Sequence, residues 1–141
     1  MSSRSIFDIH TDVARRVARE VGAAITPEED ARLAADPTAN TEAYEVYLQG
    51  RFHWNTRTAQ GLETAIGHFQ RAIGLDSSYA LAHAGLAGCY AVITFYSADV
   101  NPSEMFRLGE EAAQEAIRLG PELAAAHASL GFLRLLGRRD W

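Results

Sequence analysis

Apolar residues recur along this chain at the spacing of amphipathic helices, and one of those patterns recurs as a whole. Ile6, Ile9, Val13, Val17 and Val21 fall on one face of a helix over 5–25, with Asp12, Arg15, Arg16, Arg19 and Glu20 opposite. Thr26-Pro27-Glu28-Glu29 combines a capping hydroxyl, a first-turn proline and a returning carboxylate, which predicts a short second helix ended by Asp36-Pro37. Asn40 or Thr41 then caps an aromatic-rich helix carrying Tyr44, Tyr47, Phe52 and Trp54, which breaks at 55–58. Thr58 opens a helix to Leu75 with Leu62, Ala65, Ile66, Phe69, Ala72 and Ile73 inward. A helix over 79–94 follows a turn at 76–78, and an irregular stretch fills 95–100. Asn101-Pro102-Ser103-Glu104 repeats the cap-and-proline logic for a helix to Leu119, and Gly120-Pro121 turns the chain into a last helix from about Glu122 to Leu136.

Residues 72–87 read AIGLDSSYALAHAGLA and residues 116–131 read AIRLGPELAAAHASLG. At an offset of 44 they agree at eight of sixteen positions without a gap, His83 and His127 among them. The conserved block is the end of one helix, a tight turn and the start of the next, so the unit of construction is a helical hairpin.

Composition supports helices and narrows the partners. The chain has 141 residues, enough for one domain with a core, and only four prolines. All 13 basic residues are arginine, and the formal net charge is −5, which argues against contact with nucleic acid. Cys89 is the single cysteine, placed inside an alanine-rich helical pattern where it reads as a small apolar core residue. No apolar run has the length of a membrane span, and the first residues lack the apolar centre of a signal peptide, so a cytoplasmic location without membrane contact is expected.

The hairpin unit resembles the tetratricopeptide repeat. Leu86, Ala87 and Tyr90 match that family's first-helix positions, with His83 where the family often has a large residue. Gly109, Ala113 and Ala116 match its second-helix series, and Pro121 its inter-repeat proline. Ala65, Phe69 and Ala72 supply the same places one unit earlier, with Ser77 in place of the proline, and His127, Leu130 and Gly131 begin a third unit. The stretch from Asp8 to Asn55, above all AYEVYLQGRFHWN, resembles a segment of large bacterial regulatory proteins. In those proteins a helix closing an α/β domain related to the TolB amino-terminal domain leads into tetratricopeptide repeats, linked to a cyclase, kinase or winged-helix DNA-binding domain. The resemblance implies an all-α superhelix of helical hairpins with two N-terminal helices. Residues 1–38 would be the tail of an upstream α/β domain plus a connector helix. Residues 39–141 would hold about two complete repeats and the first helix of a third. The 95–103 segment lengthens the second unit, and the third lacks its second helix, as expected of a fragment of a longer array.

Such arrays bind peptides on the concave face lined by the first helix of each unit. The resemblance places Leu81, Ala84, Gly88, Ala91 and Val92 on that face, joined by Ala125, Ala128, Phe132 and Leu135. These residues are apolar and lack the Lys, Asn and Arg that grip a peptide carboxylate, so an apolar peptide or helix is the expected partner. Leu130, Leu133 and Leu136 form the apolar face left without a second helix and are the expected surface for homo-oligomers. His83 and His127, in equivalent places of stacked repeats, would lie about 8–10 Å apart, too far for one ion. His53 and His68 have no cysteine or carboxylate at ligand spacing, and no phosphate loop or nucleophile motif occurs. The sequence thus implies a non-enzymatic interaction scaffold without metal or cofactor. An oligomerisation or small-ligand sensor module, regulating a linked cyclase, kinase or DNA-binding domain, is the alternative.

Overall fold

The structure, a computed structural model, describes Val13 and residues 40–138. The helices expected at 5–25 and 27–35, the boundary at 38 and Trp141 lie outside the described residues, apart from Val13, which is helical and buried in the core. The described chain is all-α and contains no strand. Its helices are α1 (Thr41–Asn55), α2 (Ala59–Leu75), α3 (Ala80–Val92), α4 (Pro102–Leu119) and α5 (Ala124–Gly137), with a 3-10 turn at Ile93–Phe95. Each helix packs on the next, and α3 also packs on α1 and α5.

Local chemistry sets the boundaries. The Asn40 side chain accepts from the Ala43 amide at 3.0 Å, capping α1. Its amide nitrogen donates to the Leu75 carbonyl at 3.0 Å, which ties the start of α1 to the end of α2. Between them, the Thr56 hydroxyl donates to His53 O at 2.7 Å and the Thr58 hydroxyl accepts from Gly61 N at 2.9 Å. A β-carbon at Gly61 would lie 1.9 Å from Thr56 Oγ1, so this turn admits only glycine there. Arg57 takes the left-handed conformation at φ 53°, with its guanidinium 4.1 Å above the Trp54 ring.

The two copies of the repeated block share their backbone hydrogen bonds at the turn. Asp76 and Gly120 end their helices with amides bonded to Ala72 O and Ala116 O. Tyr79 and Leu123 amides then bond Asp76 O and Gly120 O, and both residues serve as extended caps for the next helix. Those helices begin at Ala80 and Ala124, slightly later than the apolar pattern alone indicates. His83 Nε2 meets Ser77 O at 3.0 Å and His127 Nε2 meets Pro121 O at 2.7 Å. The recurrent histidines therefore latch each helix start to the turn six residues back.

One aromatic ring holds three helices together. Phe69 of α2 is fully buried, and its ring fills the space above Gly50 of α1 and Gly85 of α3. A β-carbon at either glycine would sit 2.7 Å from that ring. Tyr47 packs against it with ring centroids 5.6 Å apart, and Tyr79 continues the cluster 5.2 Å from Tyr47. Gly109 of α4 plays the same part further on, where an added β-carbon would lie 2.7 Å from Leu133 of α5 and 3.1 Å from Tyr90 of α3. Cys89 is buried, and burial pushes its thiol up to about 12, so it is inert core packing at neutral pH.

Candidate apolar binding face

The nine positions expected on the concave face separate into two groups. On α3, Leu81, Ala84 and Ala91 are buried, and Gly88 and Val92 are half-buried. Ala84 packs with Ala116 of α4 and Ala126 of α5, inside the stack. Gly88 is covered by the Trp54 ring, which would meet an added β-carbon at 3.3 Å. The expectation of an open face on α3 is therefore corrected: this helix sits in the middle of the stack, with α1, α2, α4 and α5 around it. A charge at Ala84 would unfold the packing instead of probing a groove.

On α5 the equivalent positions are open. Ala125 and Ala128 are exposed, Phe132 is 39% exposed and Leu135 57%. Phe95, 57% exposed, reaches the same patch from the 3-10 turn, its ring centroid 6.2 Å from that of Phe132. Tyr96 beside it is 42% exposed. These four are the exposed large apolar side chains among the described residues.

The face of Leu130, Leu133 and Leu136 points the other way. Leu133 is 0% exposed against Gly109, Leu136 is buried and Leu130 packs half-buried on the core. The expectation that these three are free for self-association is corrected, because α4 and α3 already cover them. Helix α5 is apolar on both sides, so its period alone does not say which side is inward. Phe95 and Tyr96 escaped the sequence reading because they lie in an irregular stretch; two adjacent aromatics outside any helical period were the available signal.

The ion pairs of α4 are local to that helix. Arg107 bridges Glu104 at 2.7 Å and Glu111 at 2.8 Å along α4, and Arg118 pairs with Glu115. The Glu104 and Glu115 carboxyls are held below their usual range by these hydrogen bonds. All are solvent-exposed pairs of the kind that contribute little to stability.

The remaining polar cluster lies on the first hairpin. His53 of α1 and His68 of α2 stack with ring centroids 5.4 Å apart and planes 11° from parallel. Burial first, then the neighbouring His53 and Arg71, lowers the His68 pKa below 6.5. In the window between that lowered value and 6.5 the unfolded chain binds more protons than the folded one, so stability falls as pH falls. Chemical denaturation at pH 7.5 and pH 5.5 should show lower stability at the acid end, and His68→Gln should flatten this dependence. An undiminished slope in His68→Gln would assign it to other groups. Two imidazoles do not hold a metal by themselves, and no group of three or more His, Cys, Asp or Glu is placed for one among the described residues.

No described helix is long and apolar enough to cross a membrane. Comparison with family models, curated proteins and solved structures gives no match for this chain.

Proposed function

We propose that this chain is a non-enzymatic helical-repeat interaction module of the tetratricopeptide type, working within a larger regulatory protein, that binds an apolar helix or peptide. The face it uses is the outer side of α5 extended by Phe95. The observation that carries this reading is the exposed apolar patch of Phe95, Tyr96, Phe132 and Leu135 on an otherwise well-packed helical stack. Two features support the repeat assignment. The turn, cap and histidine latch recur at an offset of 44, and α3 packs on both α1 and α5, as stacked hairpins do. Small residues at Ala125 and Ala128 beside large ones at Phe132 and Leu135 offer the ridges and grooves that a helix seats on.

A fluorescein-labelled amphipathic peptide with leucine at i, i+3, i+4 and i+7 provides the probe, with its scrambled isomer as control. Anisotropy titration should show saturable binding of the first and not the second. Phe132→Glu should weaken binding at least about tenfold, since a charge would have to be desolvated in an apolar contact. Equal affinity for both peptides, or an unchanged affinity in Phe132→Glu, would reject the face.

A further inference from the structure

We propose that the occupant this face fits is a second copy of itself, paired antiparallel across a two-fold axis beside Leu130. This inference rests on the reading of α5 as the binding face and names its partner. Four of the exposed apolar positions, Ala125, Ala128, Phe132 and Leu135, lie at successive spacings of three, four and three, which is the seam spacing of a coiled coil. The two N-terminal members are small and the two C-terminal members are large. In an antiparallel pair, the layers match Ala125 with the partner copy's Leu135 and Ala128 with the partner copy's Phe132. Every layer then joins a large side chain to a small one, and the arrangement is identical from both sides, as an isologous contact requires. A parallel pair would set Phe132 against Phe132 and alanine against alanine, crowding one end and leaving a gap at the other.

The charge distribution agrees with this pairing. Between Ala124 and Gly137 the helix carries one arginine or carboxylate, Arg134, and it lies off the seam, so no like charges meet in the contact. Gly131, exposed and with open space around it, and Ala124 flank the seam and allow close approach of the backbones. The equivalent face one repeat earlier is covered by helices α1, α4 and α5 of the same chain, so an apolar surface of this kind is not left open to water there. There Leu81, Ala84 and Ala91 are buried, Ala84 beneath Ala116 and Ala126, while Trp54 lies on Gly88. Phe95 stands beside Phe132 and widens the apolar contact at each inner layer of the pair.

A contact of one 14-residue helix per protomer, about 21 Å long, falls at the small end of protein interfaces, so the dimer is a weak one. Sedimentation and light scattering of the full chain from about 5 to about 500 µM should show the mass rise from 15.4 kDa towards twice that value. Phe132→Glu should stay monomeric across the range with unchanged helicity. Ala128→Phe, which sets ring against ring, should also dissociate the pair, and Ala128→Phe combined with Phe132→Ala should restore it by exchanging large and small within one layer. A chain monomeric at every concentration, or a dimer indifferent to Phe132→Glu, would overturn the pairing. Failure of the double exchange to restore a dimer lost in Ala128→Phe would overturn the antiparallel register. A monomer that still binds the labelled helix through Phe132 removes the second copy and leaves the interaction module standing. A Phe132-dependent dimer that ignores the peptide, even when diluted to monomers, does the reverse.

Discussion

Phe69→Ala should lower the unfolding free energy by about 3–5 kcal/mol, the range for deleting a buried aromatic ring. The ring is fully buried and is seated against glycines of both neighbouring helices, Gly50 and Gly85. A domain of this size is stable by only about 5–15 kcal/mol, so the loss would bring it close to unfolding at room temperature. Urea unfolding followed by far-ultraviolet circular dichroism measures it. The glycines give a second arm. Gly85→Ala should cost about 1–3 kcal/mol by crowding the ring, and less in a Phe69→Leu background where the ring is gone. Strict additivity of the two changes, or a cost below about 1 kcal/mol for Phe69→Ala, would mean that the ring does not lock α1, α2 and α3 together.

The features legible in the sequence are those whose chemistry is local. Thr58 and Asn101 announced the starts of α2 and α4 because a capping side chain bonds an amide three residues away, as Gly61 N and Glu104 N show. For α1 the same signal left Asn40 and Thr41 open, and the second bond of Asn40, to Leu75 O, joins residues 35 apart and has no local signature. The repeated histidines were visible as letters, whereas their common partner, a turn carbonyl, appeared only in the structure. The stacking of His53 on His68 brings together two helices and could not be read from spacing along either one.

Which of the nine positions are exposed was legible by half, and the reason is physical. Periodicity finds the inner side of a helix only when the other side is polar. Helix α2 meets that condition: Gln60, Glu63, Gly67, Gln70 and Arg71 face solvent while Leu62, Ala65, Phe69 and Ala72 are buried. Helix α3 is covered almost all round, so Leu81, Ala84 and Ala91 of its expected groove are core. Helix α5 is apolar on two sides but covered on one only, so the inward and outward sets had to be told apart by the structure. The small residues that let α4 and α5 approach, with Gly109 against Leu133, decide the orientation.

That orientation makes a sharp contrast between two leucines two positions apart on α5. Leu133→Ala should cost about 2–5 kcal/mol, because the side chain is fully buried over Gly109 and leaves a cavity between α3, α4 and α5. Leu135→Ala should change stability by no more than about 0.5 kcal/mol, since that side chain is 57% exposed on the other side of the helix. The same pair should reverse in association: Leu135→Ala weakens the contact between copies, through the layer it shares with Ala125, in a protein as stable as the parent. Measurements at about 2 µM, below the expected dimerisation range, keep folding and association separate. Equal costs for the two leucines would mean that α5 is rotated from the position described. Its apolar face would then have to be drawn again around Leu130, Leu133 and Leu136.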